Sequence, residues 1–147
     1  MRYRETGNVH MDFHLSMAST IDWVSREYGS ETLRELFRRT AQRVYREIWE
    51  DLKRGDTGPL LEHWRYYFDR EGGRYTVTEL SDGEFVFEVL ECPAARHLRE
   101  RGLPVPASFT LQDVLLNDAW SEGTPFSIST EILGEGAYRM SVARRGG

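Results

Sequence analysis

The segment EFVFEVLECPAARHLRER, residues 84–101, decides the fold because a strand, a corner and a helix follow one another within it. Phe85, Phe87 and Val89 recur at every second position, the pattern of a strand with one apolar face. The pattern stops at Cys92, which a proline follows. Proline lacks a backbone N–H and has a preset φ, so it suits the first position of a helix. The residues after it are good helix formers, and we predict a strand-to-helix corner at Cys92.

Cys92 is the only cysteine in the chain, and this corner would place it at or beside a helix N-cap. A thiol there faces unpaired backbone N–H groups and the positive end of the helix dipole, both of which favour the thiolate. Cys92 is therefore the leading candidate for chemistry. The alternative is that it is a small buried residue that closes the corner and has no chemical role.

Length and composition indicate one globular domain, residues 1–147. The net charge of −5 argues against a general nucleic-acid partner, whose recognition depends on clustered positive charge. No apolar run is long enough to span a membrane. A single cysteine and the absence of an apolar signal core predict a cytoplasmic location. Lys53 is the only lysine among 19 basic residues, a bias compatible with thermostability.

Hydrophobic periodicity predicts three helices in the first half of the chain. The first runs from Asn8 to Tyr28 and ends at Gly29, and its apolar stripe includes two histidines. The second runs from Ser30 to about Lys53. Its predicted core stripe comprises Leu33, Leu36, Phe37, Ala41, Val44, Tyr45, Ile48 and Leu52. The third begins at Pro59 and ends near Arg70.

In the second half of the chain, the sequence pattern predicts two hairpins separated by two short helices. Alternation marks the strands, and Ser81-Asp82-Gly83 and Gly134-Glu135-Gly136 mark the turns. The predicted strands are Arg74 to Leu80, Glu84 to Leu90, Phe126 to Leu133 and Ala137 to Ala143. One helix follows Cys92, and Ser108 can cap the other. We predict an α+β fold in which an N-terminal three-helix segment packs on a small, mostly antiparallel four-stranded sheet.

Two histidines on the first helix, His10 and His14, have the i, i+4 spacing that places two imidazoles side by side as a metal pair requires. Candidate further ligands are His63, His97, Cys92 and the acid Asp12, but none has a motif-like spacing from the pair. Two ordinary histidines at the edge of a core explain the pattern equally simply, so no cofactor is expected.

Thiol catalysis needs a base beside the nucleophile. His97 lies about one and a half helical turns after Cys92 and points away from a cap, so His14 or His63 would have to be brought to the thiol by the fold.

Several polar groups could contact a small ligand. Glu62, His63 and Trp64 lie on adjacent faces of the third helix. Further polar groups project from the helix after Ser108, namely Gln112, Asp113, Asn117 and Asp118.

At the level of motifs the chain resembles the L-2-amino-thiazoline-4-carboxylic acid hydrolase family. The resemblance rests on DFH at 12–14, EHW at 62–64, FDREGG at 68–73, VLECPAARHLRERG at 89–102 and EGT at 122–124. The second half is also similar to small-molecule-binding domains of the four-vinyl-reductase type, which share a fold with haem nitric-oxide-binding proteins.

The first resemblance implies hydrolytic opening of a cyclic amidine, with Cys92 and His14 in the matching catalytic positions. The chain departs from the pattern at Thr110-Leu111-Gln112, where family members often carry a cysteine with a histidine or acid, and in its last strand, which has no cysteine.

Two functional hypotheses follow from these observations. The first is a hydrolase of a small cyclic C–N compound, in which Cys92 is the nucleophile or a polarising thiol, His14 is the general acid/base, and His10, Glu62, His63, Trp64 and Gln112 bind substrate. The alternative is a non-catalytic small-molecule-binding or sensor domain with a structural Cys92. Its apolar pocket would be lined by Trp23, Trp64, Phe85 and Phe87. A homodimer formed through helices is a further expectation.

Overall fold

The structure is a computed structural model and describes residues 13–146. It confirms the predicted α+β class: helices pack on a four-stranded antiparallel sheet. The helical elements are α1 (Phe13–Arg39), a π-helical turn (Thr40–Val44), α2 (Arg46–Lys53), α3 (Gly58–Glu71), α4 (Pro93–Glu100), a 3₁₀ turn (Ala107–Thr110) and α5 (Leu111–Ser121). The strands are β1 (Arg74–Glu79), β2 (Phe85–Glu91), β3 (Phe126–Gly134) and β4 (Ala137–Arg144).

The sheet has the order β1-β2-β4-β3, so β2 is an interior strand. Phe87 lies opposite Val77 of β1 and Met140 of β4 in the antiparallel register. Both neighbours of Phe87 point to the helical side, and Phe87 itself is fully buried. The alternation in the sequence therefore predicted correctly which face of β2 meets the core.

α3 supplies the aromatic layer that covers this face. The ring of Trp64 lies 5.7 Å from that of Phe85 and 5.5 Å from that of Phe87, both in edge-to-face geometry. Phe68, one turn further along α3, packs 5.4 Å from Phe87. Burying one such side chain contributes about 1.5–3 kcal/mol, so this layer fixes α3 on the sheet.

The opposite face of the sheet carries a row of charges. The guanidinium of Arg139 on β4 lies 2.9 Å from Glu88 on β2 and 3.0 Å from Glu131 on β3. These three residues stand in one cross-strand row of the register. An antiparallel sheet commonly has one core face and one polar face, as here.

Gly29 interrupts α1 where the sequence placed the end of the first helix. Its backbone has φ of 83° and ψ of 174°, which is not helical, and the chain resumes the helix at once. The two predicted helices thus abut across a kink, with no loop between them. Glycine permits this positive φ because it has no Cβ.

The predicted core stripe of the second helix is wrong at Leu36 and Val44, which are 43% and 65% exposed. Val44 lies within the π-helical turn, in which the N–H of Tyr45 donates to the carbonyl of Thr40 at 3.0 Å. An i→i+5 turn holds more residues than an α-helical turn, so a stripe drawn with a constant period of 3.6 residues assigns one residue too many to the core there. Leu36 precedes the turn, where the buried stripe runs through Leu33, Phe37 and Ala41 and Leu36 lies beside it.

The predicted pocket position of Trp23 is also wrong. Its side chain is 49% exposed and stacks edge-on against the exposed ring of Tyr28, 5.2 Å away. The other three residues of that predicted set lie together in the core. In the described part of the chain, no helix has the length and apolar character needed to cross a bilayer.

The hairpin between β3 and β4 touches the corner at Cys92. Gly136 has φ of 73°, and a Cβ at that position would lie 2.9 Å from the Cβ of Ala95 and 3.7 Å from that of Cys92. We expect Gly136→Ala to lower the free energy of unfolding by about 1–3 kcal/mol, because the positive φ is strained for alanine and the added Cβ crowds the Cβ of Ala95. Urea titration measures the change.

Gly134→Ala is the matched control, because nothing lies within 4 Å of its added Cβ. We expect its unfolding curve to move far less than that of Gly136→Ala. Equal shifts for the two variants would contradict the close packing of the hairpin on the corner.

Candidate functional site

Cys92 is the N-cap of α4, as the sequence predicted. Its N–H donates to the carbonyl of Gly136 at 2.8 Å, and its φ of −72° and ψ of 123° are those of a cap. The side chain is 5% exposed. Its sulfur makes no capping hydrogen bond, yet the N–H groups of Ala94 and Ala95 are near enough to favour the thiolate. The corner therefore holds the thiol inside the protein.

Burial raises the pKa of the Cys92 thiol above its ordinary value. The backbone N–H groups and the hydroxyl of Tyr138 oppose this effect, and the neighbouring Asp113 carboxylate adds to it. Desolvation outweighs the helix N-terminus because a thiolate loses its hydration there. In the unliganded protein the thiol is therefore protonated at neutral pH.

Asp113, in the first turn of α5, is the acid among the groups that shift the pKa of this thiol. It is half-buried, and desolvation raises the pKa of its carboxyl to about 6. The hydroxyl of Tyr138 lowers this pKa and so partly offsets the desolvation. A carboxyl with such a pKa changes its protonation state close to neutrality, which suits a general acid/base.

Tyr138 on β4 acts on both groups. Its hydroxyl is near enough to the carboxyl of Asp113 and to the sulfur of Cys92 to lower the pKa of each. Burial raises the pKa of Tyr138 well above that of a free phenol, so the hydroxyl stays neutral. A hydroxyl can accept one hydrogen bond while it donates another. The three side chains thus form a thiol–hydroxyl–carboxyl cluster, which we call the Cys92 chain.

His14 belongs to a second cluster. Its Nε2 lies 3.3 Å from Oε2 of Glu71 on α3, and its ring centroid lies 5.6 Å from that of His97 on α4. The side chain is 6% exposed, and this burial lowers the pKa of His14 against the opposing effect of Glu71. Neither His14 nor His97 is among the groups that shift the pKa of Cys92. Cys92 and His14, which were predicted to act together, therefore belong to separate clusters.

The remaining predicted contact residues are spread over α3 and α5. His63 is half-buried, with its ring 4.9 Å from Tyr45 and 6.0 Å from Trp120, and desolvation lowers its pKa to about 4. Trp64 packs on the sheet with the core aromatics. Glu62 is exposed and Gln112 is half-buried beside Asp113. His10 lies outside the described residues.

The predicted metal pair therefore cannot be placed as a pair. Within residues 13–146, no three His, Cys, Asp or Glu side chains are grouped so that they could hold a metal ion. His14 is held by Glu71 and His97.

Sequence reasoning named Asp113 as one of several projecting polar groups, and it missed Tyr138 and Tyr67. Tyr138 sits on a strand face where a large side chain signals only core. Tyr67 lies four residues after His63 and four before Glu71, a polar i, i+4, i+8 stripe on α3. This spacing of polar residues was the signal in the sequence that could have pointed to Tyr67.

No family model matches the chain, and no curated protein sequence is significantly similar to it. The resemblance drawn from DFH at 12–14 and the Cys-Pro dipeptide at 92–93 therefore stays a prediction.

The pKa of Asp113 has a consequence for stability. Between its ordinary value of 3.8 and about 6, the folded protein binds a proton that the unfolded chain has released. Stability therefore falls as the pH rises through this window. The difference corresponds to up to about 3 kcal/mol. We expect Asp113→Asn to be more stable than the wild type at pH 7.5 and to match it near pH 4, as measured by urea unfolding across pH.

Asp118→Asn, on the same helix, is the control, because its side chain is half exposed and pairs with Arg34 at 3.5 Å. It should leave the pH dependence between 4 and 6.5 unchanged. An Asp113→Asn variant that is less stable than the wild type at pH 7.5 would show that the carboxylate is stabilised by its surroundings.

Proposed function

We propose that this protein hydrolyses a small cyclic C–N compound of the cyclic-amidine type, with Cys92 as the nucleophile. The observation that carries the proposal is the Cys92 chain, in which one hydroxyl shifts the pKa values of both a buried thiol and a carboxyl. A nucleophile, a base and a group that orients them, all within hydrogen-bond reach, are the usual requirements for covalent catalysis.

Asp113 is the base in this proposal. With a pKa of about 6 its carboxyl is largely ionised at pH 7, yet it is more basic than an ordinary aspartate. When the hydroxyl of Tyr138 donates to this carboxylate, the same hydroxyl oxygen can accept a hydrogen bond from the S–H of Cys92. A proton can then pass from sulfur to Tyr138 while the proton of Tyr138 passes to Asp113. The thiolate forms as it attacks, which reconciles a protonated resting thiol with nucleophilic chemistry.

The reaction balances in two steps. In the first, the sulfur of Cys92 bonds to the amidine carbon, the C=N π electrons move to nitrogen, and nitrogen takes the proton from Asp113. A ring bond at that carbon then breaks: a nitrogen lone pair re-forms C=N, and the ring atom leaves with the electrons of the broken bond and takes the proton that this nitrogen gives up. The opened compound remains bonded to the sulfur of Cys92. In the second, water adds to the same carbon, the C–S bond breaks, and the thiol is restored. The net change is the addition of one water molecule.

The acid/base role expected for His14 passes to Asp113 in this proposal. Asp113 acts on the thiol through Tyr138, whereas His14 is engaged by Glu71 and His97. Of the residues predicted to bind substrate, His63 on α3 packs against Trp120 of α5, and Gln112 directly precedes Asp113 in the first turn of α5.

A second candidate function is a small-molecule-binding or sensor domain in which Cys92 is structural. The observation that favours it is the thiol itself, which is 5% exposed and has a raised pKa. The two functions differ in whether Asp113 removes the thiol proton. A cytoplasmic location, a homodimer, thermostability and a small-molecule partner also stay predictions, common to both candidates.

Turnover tests the hydrolase directly. We expect the purified protein to open 2-amino-thiazoline-4-carboxylate or a related cyclic amidine, and Cys92→Ala to abolish the reaction with the fold retained. Tyr138→Phe and Asp113→Asn should lower kcat by about 10²–10⁴-fold, the usual contribution of general acid–base catalysis. Asp118→Asn should retain full activity. Turnover that survives in Cys92→Ala would rule out the covalent mechanism.

Alkylation of the native protein with iodoacetamide separates the two candidates. If Asp113 serves as the base, the rate rises first near pH 6, as its carboxyl ionises, and again above pH 9 as the thiol itself ionises. Asp113→Asn should lose the first rise and keep the second. A single rise above pH 9 in the wild type would instead support the binding domain with an inert thiol.

A further inference from the structure

The polar stripe of α3 lies across from the Cys92 chain. His63, Tyr67 and Glu71 are spaced four residues apart, so their side chains point in nearly the same direction from the helix. The neighbouring stripe of Leu60, Trp64 and Phe68 is buried on the sheet. The polar stripe therefore faces sideways, towards the other helices of the layer.

Contacts at both ends of the stripe fix what it faces. At one end His63 packs 6.0 Å from Trp120 on α5. At the other end Glu71 lies 3.3 Å from His14, whose ring packs 5.6 Å from His97 on α4. The stripe thus runs from α5 to the junction of α1 with α4.

Tyr67 is the middle member of this stripe, so it faces the region between those two contacts. Asp113 lies two turns before Trp120 on α5, and Cys92 lies at the start of α4, five residues before His97. Both groups are therefore in the region opposite Tyr67. The electrostatics agree, since Cys92, Asp113 and Glu71 all add to the effect of burial in raising the pKa of Tyr67 well above that of a free phenol.

We propose that Tyr67 is a further catalytic residue, whose hydroxyl donates a hydrogen bond to the substrate atom that receives the electron pair when Cys92 adds. This inference rests on the proposed hydrolase function. The Cys92 chain supplies the base on the nucleophile's side, and a reaction at an unsaturated carbon also needs a donor on the opposite side. A neutral phenol held within the protein is such a donor at every working pH.

Glu71, the next member of the stripe, is engaged by His14 and by Arg70, 3.9 Å away. Removing one donor of this kind lowers catalytic rates by about 10²–10³-fold in enzymes with a preorganised site.

Two reactions of the same sulfur test the proposal. Cyanamide adds to a thiol: the C–S bond forms, one C≡N π pair moves to nitrogen, and nitrogen takes the thiol proton. Iodoacetamide alkylates the thiol: sulfur bonds to its methylene carbon, iodide leaves with the electrons of the C–I bond, the base takes the thiol proton, and no nitrogen of the probe gains charge. Both rates depend equally on access to Cys92 and on removal of its proton. The ratio of the two rates therefore measures how far a hydrogen-bond donor stabilises the negative charge that develops on the cyanamide nitrogen.

We expect Tyr67→Phe to lower the ratio of the cyanamide rate to the iodoacetamide rate by about 10–100-fold, and kcat by a similar factor with little change in KM. Tyr66→Phe is the matched control, because it removes the same hydroxyl from the neighbouring residue, whose side chain is 37% exposed. Mass spectrometry counts the adducts, and thermal unfolding confirms that each variant is folded.

The outcomes are separable. An unchanged ratio in folded Tyr67→Phe overturns the role of Tyr67 and leaves the hydrolase proposal standing. A wild type that neither adds cyanamide nor opens a cyclic amidine overturns both. If Tyr67→Phe does not fold, 3-fluorotyrosine at position 67 replaces it. The fluorinated phenol is a stronger donor of nearly equal size, so it should raise the ratio, and a lowered or unchanged ratio overturns the proposal.

Discussion

The hydrogen bond from the N–H of Cys92 to the carbonyl of Gly136, 2.8 Å long, is the contact on which the rest of the arrangement depends. It fastens the end of the interior strand β2 to the hairpin between β3 and β4, at the residue where the chain turns into α4. Without it the corner could turn the sulfur towards solvent. With it, the thiol is held directly before the buried residues of α4, which begin at Pro93, and near Tyr138 on β4.

The corner brings polar groups into an apolar core, and burial acts on the three acids in the same direction. Desolvation raises the pKa values of Cys92, Asp113 and Tyr138, each of which is neutral when protonated. The nearby hydroxyl of Tyr138 opposes this effect at Cys92 and Asp113, because it stabilises their charged forms. The result is a set of three acids in which only the carboxyl titrates near neutrality. Such a set holds one mobile proton at physiological pH, which is what acid–base catalysis requires.

The local parts of this account could be predicted from the sequence. Alternation at Phe85 and Phe87 gave the strand face, and the proline after Cys92 gave the helix start, because both signals are written in neighbouring residues. The π-helical turn was not predictable from a fixed period, and it displaced Val44 from the core.

The partners in the site could not be predicted, since they are tertiary. The spacing of His14 shows that it lies on a buried stripe but not which helix faces it, and the structure sets Glu71 and His97 against it. Tyr138 and Asp113 are 25 residues apart in sequence and come together only through the tertiary packing of α5 on the sheet. Nothing local marks either residue as the neighbour of a thiol. Periodicity reports which face of an element is buried, whereas the identity of the residue across from it depends on the angles at which elements pack.

Titration of the Asp113 carboxyl shows whether the hydroxyl of Tyr138 couples this carboxyl to the thiol of Cys92. Carbon-13 NMR of the protein labelled at aspartate carboxyls, with Asp113→Asn used to assign the resonance, gives its pKa. We expect a midpoint near 6 in the wild type and a higher midpoint in Tyr138→Phe, because the hydroxyl stabilises the carboxylate. A midpoint near the ordinary aspartate value of 3.8 that Tyr138→Phe leaves unchanged would show that the two groups are not coupled.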